Sequence, residues 1–204
     1  MIVTGIETVT KKKSKVELDG QLAFVLYKGE LARYRIRIGA KLEEAQYEEI
    51  MTEVLLKRAK RYLLHLLTKM DRTTYELEAK LKRGGYPDEV IEGAIAYVMS
   101  YGYLNDQNYA EKYLHTYEGR LSLRQIKWKL AAKGISKEIL DSLSDIHVED
   151  DENELIEDHI VKRSKGKEKL DDKEIRRLAD YLYRKGFEGS MIWAALKKYR
   201  GNDE

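Results

Sequence analysis

The chain has 204 residues with 43% hydrophobic and 36% charged side chains, one proline and no cysteine. The missing cysteines exclude disulfides and thiolate metal sites, and a net charge of only +2 excludes a generic polycation. No basic segment followed by an apolar one opens the chain, and Leu63-Leu64-His65-Leu66-Leu67 is too short to span a bilayer, so a cytoplasmic protein without membrane contact is expected.

The first forty residues read as a small β-rich module. Ile2 to Val9, Val16 to Leu18 and Leu22 to Tyr27 are rich in β-formers, and Asp19-Gly20 between the last two is a two-residue hairpin signal. Lys11-Lys12-Lys13-Ser14-Lys15 then reads as the loop between the first two strands, either a solvated loop or a nucleic-acid contact. In Ala32 to Ile38 the arginines Arg33, Arg35 and Arg37 alternate with apolar residues, as in a strand. Leu31 and Tyr34 fit a helical turn equally well.

From about Glu43 a long helix is predicted, because Tyr47, Ile50, Met51, Val54, Leu55, Ala59, Tyr62, Leu63, Leu66 and Met70 keep three-four spacing. A repeat follows. An apolar residue, three further positions, a glycine and another apolar residue recur as Leu81…Gly85-Tyr86, Leu130…Gly134-Ile135 and Leu182…Gly186-Phe187, with the glycines 49 and 52 residues apart. This is the signature of a Schellman helix end, in which a left-handed glycine lets the next residue pack back onto the last turn. Gly85, Gly134 and Gly186 are therefore predicted helix C-caps. Another apolar-striped helix follows each glycine and an amphipathic one precedes each middle helix, which makes three units of three helices.

The predicted fold is mainly α: a β-rich module at residues 1–42, a long helix with the first three-helix repeat at 43–106, and further repeats at 107–152 and 153–204.

Charge is segregated in the second repeat. Gly119 to Lys137 carries Arg120, Arg124, Lys127, Lys129, Lys133 and Lys137 and no acid, whereas Glu138 to Asp158 carries ten acids and no Lys or Arg. Such a field orients charged partners, or is simply a solvated face. Ile126, Leu130 and Leu123 mark a buried stripe, so Trp128 is expected to face outward beside Arg124 and Lys127, the composition of a binding hot spot. The alternative is that Trp128 packs against a neighbouring unit.

Catalytic readings fail. His65, His115, His147 and His159 are scattered, Glu149-Asp150-Asp151-Glu152 reads as a solvated linker, and Gly166-Lys167 lacks the spacing of a phosphate loop. No enzyme, metal or cofactor is expected.

The chain resembles the RecX family over nearly its whole length. The resemblance is carried by Arg72-Thr73, Glu76-Leu77 and Gly85-Tyr86, by the junction Tyr101-Gly102-Tyr103-Leu104-Asn105-Asp106 with Tyr109-Ala110, and by Arg124, Ile126, Leu130, Lys133 and Gly134. Leu182, Lys185, Gly186 and Phe187 complete it. Asn105, Asn108, Ser122-Leu123 and Lys129 depart from the family's usual residues. The resemblance tilts Lys28 to Arg35 towards a short helix. It also implies a monomeric regulator that binds the RecA nucleoprotein filament and inhibits it. Arg72, Arg83, Arg120, Arg124, Lys127, Trp128 and Lys133 are the candidate contacts. The competing class is a DNA-binding regulator of helix-turn-helix-like units. The acidic starts of the helices that would read bases, such as Asp88-Glu89, count against it, while weak contact with the DNA backbone stays open.

Overall fold

The computed structural model describes residues 1–145 and 150–200. The chain forms two compact units, Met1–Asn105 and Asp106–Glu204.

The first unit opens with an antiparallel meander of β1 (Val3–Thr8), β2 (Lys13–Leu18) and β3 (Gln21–Tyr27). Asp19 and Gly20 take φ of +49° and +83°, the left-handed pair a tight hairpin demands. The lysine-rich loop is shorter than expected. Lys13, Ser14 and Lys15 belong to β2, where Ser14, Val16 and Leu18 point inward and the charges alternate outward.

The arginine-rich stretch is not a strand. It begins with α1 (Lys28–Arg33), and the helix closes by the two bonds of a Schellman end: Ile36 N donates to Leu31 O at 2.9 Å and Arg35 N to Ala32 O at 3.2 Å. Arg35 itself holds the left-handed position at φ +52°, which buries both Tyr34 and Ile36.

Continuous helix runs through α2 (Glu44–Glu49), a π-helical stretch (Ile50–Leu56) and α3 (Lys57–Leu67). Ile50, Met51, Leu55, Ala59, Leu63 and Leu66 are buried along it, but Met70 lies beyond its end and is exposed. Thr73 then caps α4 (Thr74–Arg83) through a reciprocal box with Glu76, at 3.2 and 3.3 Å, a device that contributes about 1 kcal/mol. With α5 (Asp88–Ser100), these elements and the sheet share one core running from Val3 to Leu104.

Arg58 ties the sheet to this helical unit. Its guanidinium donates to Glu30 Oε2 at 3.1 Å and Val25 O at 2.9 Å, and it lies over the rings of Tyr27 and Tyr86.

In the second unit, α6 (Asp106–Tyr117), α7 (Leu123–Ala131), α8 (Lys137–Ser142) and a 3₁₀ turn (Leu143–Asp145) enclose a core of Ala110, Leu114, Leu121, Ile126, Leu130, Ile135 and Leu143. A further core lies among α9 (Asp150–Ser164), α10 (Asp172–Lys185) and α11 (Gly189–Lys197), around Ile156, Ile160, Leu182 and Ile192. Of the acidic run read as a linker, Asp150 to Glu152 start α9 instead; Glu149 lies outside the described residues, as does His147.

Gly85, Gly134 and Gly186 have φ of +73°, +80° and +92°. After each, the next residue's N–H reaches back across the last turn: Tyr86 to Leu81 O, Ile135 to Leu130 O and Phe187 to Leu182 O, at 3.2–3.3 Å.

Candidate functional site

The helix α7 is set by its own sequence and by the repeat that follows. Ser122 caps its start, accepting from Gln125 N at 3.2 Å, and Ile126 and Leu130 are fully buried beneath it. An opposite face is left outward. Trp128 is 65% exposed there, and Arg124, four residues earlier on the same face, is exposed beside it. Lys127 is half-buried, its ammonium hydrogen-bonded to the Ser144 hydroxyl.

The N-terminus of α7 is held by three contacts from α9 and the end of α10. Ser122 N donates to Lys185 O at 3.2 Å and Leu123 N to Glu152 Oε1 at 2.8 Å. The Glu152 carboxylate therefore satisfies a free N–H at the positive end of the helix dipole, which stabilises both. The third contact is Gly186, where a Cβ would stand 2.5 Å from Ser122 Oγ and 2.6 Å from Gln125 Cβ. The outward Trp128 and Arg124 are thus carried on a helix fixed from beneath and from its start.

Other candidate residues are less concentrated. Arg120 is exposed in the loop before α7, and Lys133, beyond its end, lies 5.7 Å over the Tyr109 ring. Tyr109, Tyr113 and Tyr117 form a ladder on α6 with centroid spacings of 6.3 and 4.5 Å, and burial pushes the Tyr113 hydroxyl above its ordinary pKa. Arg72 and Arg83 belong to the first unit. Arg72 is half-buried, with its Nε enclosed and unbonded, whereas Arg83 is exposed at the end of α4 and bonds Ala79 O through Nε at 3.1 Å.

His159 is half-buried against the third-repeat core, its ring edge-on to Tyr181 and Phe187, with Nδ1 3.3 Å from the Tyr181 hydroxyl. Burial holds its pKa below the ordinary value, and the Lys185 charge adds to the shift. Among the described residues no three His, Asp or Glu side chains are gathered to hold a metal. Lys167 is paired with Glu174 at 2.6 Å, which raises the lysine's pKa and lowers the glutamate's. No helix of the described residues is long and apolar enough to cross a membrane.

Sequence reading missed the Glu152 clamp, because 29 residues separate its partners. It also missed an exposed aromatic pair, Tyr183 and Trp193, joined by a bond from Trp193 Nε1 to the Tyr183 hydroxyl at 3.2 Å. One signal was present: Trp193 follows Ile192 directly, off the buried stripe of α11.

Comparison with known proteins agrees with this architecture. Residues 59–97 match the family model described as RecX, first three-helix domain, and residues 149–196 match RecX, third three-helix domain. The Regulatory protein RecX of Caldanaerobacter subterraneus subsp. tengcongensis is 31% identical over 96% of this chain and 98% of its own length. That of Bacillus velezensis is 33% identical over 99% of this chain and 80% of its own. A crystal structure of regulatory protein RecX superposes with a TM-score of 0.62 at 24% identity, covering 96% of this chain and 98% of that one. RecX from Lactobacillus salivarius gives 0.62 at 22% identity over 71% of this chain and 96% of that one, a likeness of fold.

Proposed function

Since the chain belongs to the RecX family of regulatory proteins, we propose that it binds the RecA–DNA filament and inhibits its recombinase, ATPase and co-protease activities. The observation that carries the surface assignment is the exposed Trp128–Arg124 pair on a helix clamped at its start. A pre-positioned aromatic beside an arginine loses little freedom on docking, which is why such pairs concentrate binding energy. Lys127, Arg120 and Lys133 extend this surface in the second repeat, and Arg72 and Arg83 supply contacts from the first. The protein acts as a monomer, without cofactor or bond-making chemistry, in the cytoplasm where the filament assembles.

Two of the helices that would read DNA bases carry acids in their first turn, Asp88 and Glu89 in α5 and Glu138 in α8, which repel phosphates where a reading helix needs donors; the third, α11, has no acid there but starts with Gly189-Ser190-Met191 and offers no base-reading arginine, asparagine or glutamine. A filament regulator is therefore favoured over a sequence-specific DNA binder. The test adds purified protein at substoichiometric amounts to the RecA of its own organism on single-stranded DNA. Slowed ATP hydrolysis supports the reading, and unchanged hydrolysis up to equimolar protein contradicts it.

A further inference from the structure

Positive charge is concentrated beyond the second repeat. Residues 161–200 hold thirteen Lys and Arg against six Asp and Glu, a net +7 within a chain whose total is +2. Three of the thirteen, Arg176, Arg177 and Arg184, are exposed on the outward side of α10 and form no ion pair among the described residues. Two acids share that side: Asp172, bonded to Arg200 at 3.3 Å, and Asp180. The acids alternate with Arg176 and Arg184 at four-residue spacing and leave a net positive side, which a polyanion would compensate.

Beside these cations stand two exposed aromatic side chains of the third repeat, Tyr183 at 48% and Trp193 at 47% exposure. The bond from the indole N–H to the tyrosine hydroxyl occupies their polar edges and leaves ring faces open. Gly189, at the first turn of α11, makes room for it, since a Cβ there would stand 2.7 Å from the Tyr183 hydroxyl. Trp193 also borders a cleft of about 480 Å³ whose rim carries Arg176, Lys197 and Arg200.

We propose that this face of the third repeat binds single-stranded nucleic acid, with bases stacking on Trp193 and Tyr183 and phosphates held by Arg176, Arg177, Lys197 and Arg184. Flat rings among unpaired arginines suit a strand whose bases are open, because stacking needs base faces that a duplex conceals. An acidic protein segment would use the cations and leave the rings without a role. The inference stands apart from the filament reading, and its assay contains no recombinase.

The experiment measures binding of a fluorescently labelled oligothymidylate to the full chain by anisotropy across a salt series. Trp193→Ala is expected to weaken binding on the order of tenfold, and Trp193→Phe, which keeps a stacking ring, to retain most of the affinity. Arg176→Gln and Arg177→Gln are expected each to flatten the dependence of log K on log salt by about 0.7. Lys11→Gln with Lys12→Gln, which removes two cations from the β-module loop, leaves the affinity unchanged. Abasic oligomer of the same length binds more weakly than oligothymidylate to the natural chain and equally to Trp193→Ala.

Undiminished binding by a normally folded Trp193→Ala variant would overturn the proposal. Equal affinity for duplex would do so as well, and so would polyglutamate that binds as tightly as the oligomer with the same dependence on Trp193.

Discussion

Gly186 in the third repeat and Ser122 in the second approach so closely that a Cβ on the glycine would meet the serine hydroxyl at 2.5 Å. The same backbone position that ends α10 in a left-handed turn is also the point where two repeats touch. Gly85 has a similar double role in the first unit, where a Cβ would stand 2.3 Å from Val25 Cγ2 of the sheet. Gly102 and Gly119 share the positive φ but face open space. Alanine at Gly102 or Gly119 is therefore expected to cost only the left-handed penalty, about 1–2 kcal/mol. Alanine at Gly186 or Gly85 should cost clearly more, because backbone or packed side chains must also move. Urea unfolding of the four variants measures the difference, and equal costs would remove the close-approach argument.

Trp128→Ala combined with Arg124→Ala should leave folding intact, because neither side chain belongs to the core of Ile126 and Leu130. Circular dichroism and melting are expected to stay near those of the natural chain, with a shift within about 0.5 kcal/mol for exposed positions. Inhibition of RecA ATPase by the double variant should be poor. Full inhibition would remove this patch from the binding surface.

Arg58 is predicted to be irreplaceable by lysine. It reaches Glu30 and Val25 O together while stacking between Tyr27 and Tyr86, with about a fifth of its side chain exposed. A lysine keeps the charge but neither the planar fork nor the stacking face. Arg58→Lys should lower unfolding free energy by about 1.5–3 kcal/mol, the range for hydrogen bonds to a charged group. Chemical denaturation checks this, and a loss below that range would mean the sheet is held by apolar contacts alone.

A pH effect follows from His159. Burial, then the Lys185 charge, keeps its folded pKa below the ordinary 6.5, so on acidification the unfolded chain takes up this proton first. The contribution to stability is complete above pH 6.5. It is lost as pH falls from there towards the lower folded value. His159→Gln should make the urea midpoint less sensitive to pH between about 7.5 and about 5. An unaltered slope would assign the acid sensitivity to other groups.

The repeats and their glycine ends were legible because a left-handed turn followed by an apolar residue is a local pattern, and Leu81-to-Tyr86 needs no distant partner. The Asp19-Gly20 hairpin was legible for the same reason. Lys13 and Lys15 obscured the start of β2, since Ser14 is too small to announce an inward face. Arg35 in a left-handed helix end escaped because glycine is the expected residue there. Arg58 and Glu152 could not be read as clamps, since their partners lie 33 and 29 residues away in sequence. The outward position of Trp128 was readable from helical spacing, whereas the Trp193–Tyr183 bond depends on how α10 and α11 meet.

The π-helical stretch at Ile50–Leu56 has a consequence for what the long helix tolerates. Before it, Tyr47 lies 6.0 Å from the Phe24 ring in the sheet; within it, Leu56 lies against Gly93 of α5, where a Cβ would approach to 3.2 Å. Wider turns alter the angular pitch, so a single rod presents correctly phased apolar faces to neighbours of different symmetry. Loss of one residue inside this stretch would rotate everything beyond it by roughly a quarter turn. Arg58 would then swing away from Glu30 although every side chain remained. The spacing between the two halves is thus as much a specified quantity as any residue in them, a gear ratio written into chain length.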